Sequence, residues 1–285
     1  MKNNIKKIRL ITFTIIMFCI VGMVFSPVFE NNDDTTMRDI ISGNYSGKPD
    51  GHAVFIMWPL AKIISVLYAW LPQIPWYGVF SGLSIVMCAY IIMYEINDIN
   101  YKSKIIKNGI KVFSVLCLCI ICLNSFIVQQ FTITAGVLAG TAIFLILIKK
   151  RKILAAVMLI LSCLIRKEVF ILSCPFVMAA IVWNIVSNNT NREKLYSSVF
   201  KKVIITGVGL TLILCMLSGI NNYIYSSQSW ENYSQYNATR GRLYDYTDIL
   251  YNDEYRDECL KKGISQSEYN LSLIHISEPT RRSYI

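Results

Sequence analysis

Two adjacent acids are the first residues of this chain that could do chemistry. Asp33 and Asp34 end the run Asn31-Asn32-Asp33-Asp34, which follows the first long apolar stretch. Neighbouring carboxylates can hold a divalent cation or act as a general base. The same run is also typical of a solvated turn. We treat Asp33 and Asp34 as candidate catalytic residues, and as metal ligands if the protein uses a metal.

A second group, Arg166-Lys167-Glu168, lies between two apolar stretches. Charged side chains at membrane depth are costly, and for that reason they are usually paired or functional. An Arg–Lys pair oriented by an acid suits a phosphate group. The alternative is that the three side chains simply reach water. Arg166, Lys167 and Glu168 are therefore candidate substrate-binding residues.

Three more polar residues are candidates for binding a substrate. Arg240 and Arg242 lie in a polar segment near the C-terminus, where they could bind a pyrophosphate with Asp245 to orient them. The alternative is a solvated face. His52 follows Lys48-Pro49-Asp50-Gly51 and suits a general base or an ion ligand, whereas a lone His is more often a hydrogen-bonded turn residue.

The elements that must position these residues are apolar. Residues of the apolar set make up 54% of the 285 residues, charged residues make up 16%, and the mean hydropathy is +0.45. A water-soluble protein of this length needs more charge to cover its surface. We predict an all-α, polytopic membrane helix bundle. Gly136-x-x-x-Gly140 within it predicts close helix packing.

The formal net charge of +10 does not indicate a nucleic-acid partner, because the basic residues form short clusters between apolar blocks. Eight of the nine cysteines lie inside apolar blocks. They predict neither a disulfide framework nor a metal site, and we interpret Cys119-x-x-Cys122 as packing residues.

The predicted topology has seven spanning helices, a cytoplasmic N-terminus and an interfacial helix over 53–71. If 53–71 stays on the outer surface, 16 of the 28 basic residues face the cytoplasm, as the positive-inside rule favours. If 53–71 spans instead, three of the four basic clusters face outward. The predicted spans are 10–29, 76–94, 110–128, 131–148, 153–165, 169–186 and 203–220.

The domain organisation follows from these blocks. Residues 1–220 form the transmembrane bundle, with an outer loop over 30–75, and 221–270 form an extracytoplasmic polar segment. Residues 271–281 resemble a translated sequencing adapter. We therefore exclude 271–285 as an artefact and expect the native protein to continue beyond Asn270.

Together these features resemble the GT-C superfamily of membrane glycosyltransferases. Members have a first span and then a long outer loop that opens with acidic residues and carries surface helices. Asp33 and Asp34 match the acidic motif, and the stretch from His52 through Pro59-Leu60 resembles the surface helix. Arg166-Lys167-Glu168 resembles the basic turn of a later helical hairpin.

The resemblance implies sugar transfer from a polyprenyl-phosphate donor on the outer face of a bacterial cell membrane. Asp33 or Asp34 would deprotonate the acceptor hydroxyl or hold a divalent cation. Arg166, Lys167 and Arg240 would stabilise the phosphate leaving group. Two alternatives stay open. One is a transporter or flippase of a lipid-linked glycan, and the other is a noncatalytic membrane partner in a cell-envelope complex.

Overall fold

The computed structural model describes residues 2–98, 103–148, 151–187, 192–246, 253–267 and 270. The adapter-like segment 271–285 lies outside these ranges. In this part of the chain almost every element is an α-helix, so the predicted all-α class is confirmed. The helices are α1 (Lys2–Val24), α2 (Asn32–Ser42), α3 (Trp58–Trp70), α4 (Trp76–Asp98), α5 (Lys104–Leu118), α6 (Asn124–Ile127), α7 (Phe131–Leu147), α8 (Lys152–Ile165), α9 (Lys167–Val186), α10 (Arg192–Ile224), α11 (Gln228–Tyr246) and α12 (Asp253–Lys261).

Four helical segments are long and apolar enough to cross a membrane: Trp76–Asn97, Asn108–Ile127, Lys167–Val186 and Val199–Ile224. Three shorter helical segments are also apolar, namely Ile8–Val24, Phe131–Leu147 and Lys152–Ile165. The second segment runs through a π-helical turn at Cys119–Leu123, which joins α5 to α6. These lengths and compositions are compatible with a lipid bilayer.

The chain divides into two compact units, Met1–Tyr223 and Ile224–Ile285. The first unit contains α1 to α9 and nearly all of α10. Its core lies where α7 packs against α4, α8 and α9. In the second unit, α11 begins a polar stretch in which Trp230 packs edge-on against Tyr225 and Tyr233.

A short parallel pairing fixes one end of the first unit. Strand β1 (Val28–Phe29) pairs with β2 (Val128–Gln129), and the Glu30 N–H extends the pairing by donating to the Gln129 carbonyl at 3.0 Å. Strand β1 follows α1, and β2 lies between α6 and α7. The C-terminal end of α1 therefore meets the N-terminal end of α7.

Other long-range hydrogen bonds gather more helix ends at this same place, which we call the Asp34 end. The Met57 N–H, just before α3, donates to the Leu164 carbonyl near the end of α8 at 2.8 Å. The Trp58 N–H donates to Asn221 Oδ1, from the last turns of α10, at 2.9 Å. Asn221 thus satisfies a backbone donor that helix α3 leaves unpaired at its N-terminus.

The opposite helix ends meet around Glu95, at what we call the Glu95 end. Arg151 Nε donates to the buried carboxylate of Glu95, and the Arg151 guanidinium lies over the Tyr94 ring. Nearby helix ends are joined by Asn184 of α9, which donates to the Ile146 carbonyl of α7. Because α4 rises about 27 Å from Tyr77 to Glu95, the two ends are about one bilayer core apart.

Three local predictions are corrected. The interfacial helix begins at Trp58 rather than at 53, because Met57 is extended and Pro59 is tolerated only in the first helical turn. The first helix ends at Val24 rather than near 29, since the chain then enters β1. Gly136 and Gly140 do not mediate close packing between the described helices: a Cβ on either glycine would meet no described atom of another helix within 4 Å.

Candidate functional site

Asp34 lies in the first turn of α2, in a helix rather than in the turn that its sequence suggested. Its side chain is buried, with 1% exposed. Oδ1 accepts a hydrogen bond from the Tyr77 hydroxyl at 2.7 Å and another from the Phe131 N–H at 3.1 Å. Phe131 is the first residue of α7, so Asp34 caps that helix from a distant part of the chain. One carboxylate thus ties α2 to α4 and α7.

The second oxygen of Asp34, Oδ2, is buried and has no hydrogen-bond partner among the described residues. Burial raises the pKa of Asp34 to about 6, and the charges of Asp33 and Glu30 add to the rise, while the bonds from Tyr77 and Phe131 oppose it. Asp34 therefore changes charge close to neutral pH.

Asp33 differs from its neighbour in its environment. It is half-buried, whereas Asp34 is almost completely enclosed. Both acids lie in the first turn of α2, where the helix dipole stabilises negative charge. Of the two predicted catalytic carboxylates, Asp33 is the one with a solvent-accessible surface.

Arg166 is the single non-helical residue between α8 and α9, and it ends one helix and begins the next. Its extended backbone directs the chain back along the bundle. The guanidinium carbon lies 4.8 Å from the centre of the Phe131 ring and 5.8 Å from that of Phe55. The two rings are stacked at 5.7 Å from each other. Arg166 is thus held by cation–π contacts, which orient it without using its N–H donors.

Phe131 joins the two predicted clusters. Its N–H donates to Asp34, and its ring makes the cation–π contact with Arg166. Bond lengths place the Phe131 nitrogen within about 6 Å of the ring centre, so Asp34 Oδ1 and Arg166 Cζ lie within about 14 Å of each other. Even this upper limit is only about half of a hydrocarbon core. Asp34 and Arg166 form no ion pair with each other in the described structure, where Asp34 Oδ1 accepts from Tyr77 and Phe131.

The other members of the basic turn are more exposed. Lys167 and Glu168 lie in the first turn of α9, and both are exposed. Glu168 Oε2 stands 3.6 Å from Arg166 Nε, which is an ion pair but too long for a hydrogen bond. The Arg166 side chain is 29% exposed. The partly exposed guanidinium can therefore meet an anion that approaches the Asp34 end.

His52 lies in the loop that precedes α3, where its ring is paired with an acid. Its Nδ1 is 2.6 Å from Asp50 Oδ1, which also accepts the His52 backbone N–H at 3.1 Å. Burial alone would raise the pKa of Asp50, but the hydrogen bonds from His52 outweigh burial and lower it. The neighbouring Gly51 is pressed against α3, because a Cβ there would stand 2.9 Å from the Lys62 Cα.

Arg240 and Arg242 belong to α11 in the second unit. Their side chains lie outside the described part of the structure, as does that of Asp245, and their predicted role stays a prediction. Gln129, at the end of β2, is buried and packs against Gly78 and Gly82 of α4.

Three residues of the site were missed by sequence reasoning: Phe55, Tyr77 and Phe131. Each looks like an ordinary apolar or aromatic residue of a membrane helix. The one available signal was position, since Phe131 directly follows Gln129-Gln130 at the start of a predicted span. Nothing in the sequence pairs it with Asp34 or with Arg166.

The arrangement combines a half-buried acid, a buried acid and an arginine seated on aromatic rings. It can hold an anion at Arg166 and accept a proton at a nearby carboxylate. Within the described ranges no group of three His, Cys, Asp or Glu residues is placed to hold a metal, so the metal role of Asp33 and Asp34 stays a hypothesis. Comparisons of the chain with protein families, curated proteins and solved structures find no match.

Proposed function

We propose that this protein is a membrane-embedded glycosyltransferase that uses a polyprenyl-phosphate-linked sugar on the outer face of the cell membrane. The observation that carries the proposal is the double role of Phe131. The Arg166 guanidinium packs on its ring, and its N–H donates to Asp34. A cationic group and a pair of carboxylates therefore occupy one end of an apolar bundle, where a lipid headgroup would lie.

In this proposal seven helices span the membrane, with the N-terminus in the cytoplasm. The four long apolar helices and the three shorter ones supply the seven spans. The contacts at the two ends support this alternation. The C-terminal ends of α1, α8 and α10 lie at the Asp34 end together with the N-terminal ends of α4 and α7. Arg151, from a basic cluster, lies at the Glu95 end, which is then cytoplasmic.

Helix α3 lies on the outer surface in this arrangement. One face, with Leu60, Ile64 and Tyr68, is buried against the bundle. The other face exposes Ile63, Val66 and Trp70. An apolar face with a Trp at its end suits the boundary between headgroups and acyl chains.

In the proposed reaction the basic residues and the acidic residues have separate roles. Arg166, with Lys167 beside it, binds the donor phosphate and stabilises the negative charge that develops when the sugar–phosphate bond breaks. Asp33 or Asp34 takes the proton from the acceptor hydroxyl as it attacks the sugar carbon. The sugar–phosphate bond is exchanged for a sugar–acceptor bond, and the polyprenyl phosphate leaves.

The interior of the bundle favours an enzyme over a transporter. The buried charged side chains of the described residues lie at the two ends, at Asp34 and Glu95. Between these ends the buried polar groups of α4, α7 and α8 are hydroxyls that bond to each other or to helix carbonyls. A polar path for a glycan would need side chains that are free to bind it, whereas these hydroxyls already bond within the bundle.

The test is to delete the gene in the source cell and to restore it with variants of the full native chain. We expect the deletion to remove one sugar from an envelope polymer and to leave its polyprenyl-linked donor unconsumed. Wild-type chain and Lys152→Ala, a charge removed from the Glu95 end, should restore the polymer. Arg166→Ala should not, at equal abundance in the membrane.

Accessibility of the accumulated donor separates the enzyme from the flippase. A membrane-impermeant glycosidase should reach the donor in intact deletion cells if the transfer step is lost. A donor that stays protected would identify a transporter. Full restoration by Arg166→Ala would overturn the assignment of the phosphate site.

A further inference from the structure

We infer that Asp34 is a positioning residue and that Asp33 is the carboxylate that receives the acceptor proton. This inference rests on the proposed function. It gives different roles to Asp33 and Asp34, which the sequence does not distinguish. Asp34 holds the N-terminus of α7, so that the Phe131 ring keeps the Arg166 guanidinium at the donor phosphate.

The first reason is access to Asp34. A general base must come within hydrogen-bond reach of the proton that it abstracts. Asp34 is 1% exposed, and its Oδ1 already accepts two hydrogen bonds from the protein. Asp33, one residue earlier on α2, is half-buried. Successive helix residues point in directions about 100° apart, so Asp33 and Asp34 face different sides of α2.

The second reason is the continuity of contacts from Asp34 to Arg166. The Phe131 N–H that Asp34 accepts belongs to the first turn of α7, where backbone donors have no partner within the helix. The Phe131 side chain is buried, and Phe55 stacks on it at 5.7 Å. Releasing the N-terminus of α7 would therefore move the ring on which Arg166 rests at 4.8 Å.

The third reason is that Asp34 is itself held from the other side. The Tyr77 hydroxyl donates to Asp34, and the Tyr77 N–H donates to the Tyr68 hydroxyl at 3.1 Å. Helices α3 and α4 are thus joined to α2 through two tyrosines and one carboxylate. A group enclosed in such a network serves geometry better than proton transfer, since any movement toward a substrate would break it.

The experiment measures kcat and KM for a polyprenyl-phosphate sugar, using the full native chain in lipid nanodiscs. An amide oxygen accepts the same two hydrogen bonds as Asp34 Oδ1, and within the described residues Oδ2 makes no hydrogen bond that the change would remove. Asp34→Asn should therefore keep kcat within about threefold of wild type. Asp34→Ala should raise KM about tenfold or more, because the Phe131 ring that positions Arg166 is no longer held by Asp34.

Two further variants give the readouts that a merely structural role would not move. Tyr77→Phe removes one donor to Asp34 and should raise KM by about threefold, with kcat unchanged. Asp33→Asn should lower kcat about a hundredfold, with KM unchanged. Circular dichroism and thermal unfolding check each fold. If Asp34→Ala does not fold, Asp34→Asn and Tyr77→Phe still decide the question.

Failure of the inference and failure of the proposed function give different results. If Asp34→Asn loses kcat as Asp33→Asn is expected to, Asp34 is the base and the inference is wrong. If Tyr77→Phe and Asp34→Ala leave KM unchanged, the positioning role is wrong. If Asp33→Asn, Asp34→Asn and Arg166→Ala all transfer sugar as wild type does, the proposed function itself fails.

Discussion

Asp34 and Phe131, which are 97 residues apart in the chain, are joined by a hydrogen bond of 3.1 Å from the Phe131 N–H to the Asp34 carboxylate. The bond links a short helix, α2, to the first turn of a central helix, α7. It also places the acidic residues near Arg166, which rests on the Phe131 ring. The geometry of the proposed site depends on this one junction.

The stability of the protein should depend on the ionisation of Asp34. Burial raises its pKa from 3.8 to about 6, so between these values the folded protein binds more protons than the unfolded chain. The contribution of Asp34 to the free energy of unfolding should therefore fall as pH rises from about 4 to 6, by about 3 kcal/mol, and stay constant above that range. Asp34→Asn should lack this dependence.

Thermal unfolding in detergent at pH 4.5 and pH 7 measures this effect. The Tm of wild type relative to Asp34→Asn should be lower at pH 7 than at pH 4.5. An equal difference at both values would show that Asp34 has the same proton affinity in the folded and unfolded states.

The Glu95–Arg151 ion pair should stabilise the opposite end of the bundle. Arg151→Ala leaves the buried Glu95 carboxylate without this partner. We expect a loss of about 2 kcal/mol, below the range for a fully buried pair because the Arg151 side chain is 45% exposed. The neighbouring exposed residue gives the control, since Lys152→Ala should change stability by less than about 0.5 kcal/mol. Equal Tm values for the two variants would contradict the prediction.

Two glycines should respond oppositely to alanine. Gly51→Ala places a Cβ 2.9 Å from the Lys62 Cα and must push the loop away from α3. We expect it to cost about 1–3 kcal/mol. Gly136→Ala meets open space in a helix, and it should be neutral or stabilising by up to about 1 kcal/mol. Comparing the free energies of unfolding of the two variants tests whether Gly51 is in contact with α3. A stable Gly51→Ala would show that it is not.

The proposed topology predicts the sides of two positions. Gln73 lies between α3 and α4, and Lys104 begins α5. A membrane-impermeant maleimide added to intact cells should label Gln73→Cys but not Lys104→Cys, with wild type as the control for the native cysteines. The reverse pattern would place 53–71 across the membrane and contradict the seven-span arrangement.

Sequence reasoning predicted the helical class and located most apolar helices closely, because a lipid-compatible helix needs a long apolar run that is visible residue by residue. Helix ends were less predictable. The start of α3 depends on the extended conformation of Met57 and on its bond to Leu164, and the end of α1 depends on pairing with β2. These are contacts between distant segments, for which one sequence carries no signal.

The candidate site was predictable in its charged residues and not in its aromatic ones. Asp34 and Arg166 stand out because charge is rare in an apolar chain. Phe55, Tyr77 and Phe131 do not, although they decide where the charges lie. Asp34 and Arg166 do not pair with each other in the described structure, and Asp34 Oδ1 accepts its two hydrogen bonds from α4 and α7.

The most direct test of the account is the binding of a polyprenyl monophosphate to the full native chain in nanodiscs, measured by native mass spectrometry or by fluorescence. We expect Arg166→Ala to weaken binding at least tenfold, which corresponds to about 1.4 kcal/mol. Arg166→Lys should weaken it less, since it keeps the charge but loses the planar fork that stacks on Phe131. Lys152→Ala should bind as wild type does. Equal binding by Arg166→Ala and wild type would contradict the central claim that Arg166, packed on the Phe55 and Phe131 rings, is the phosphate site.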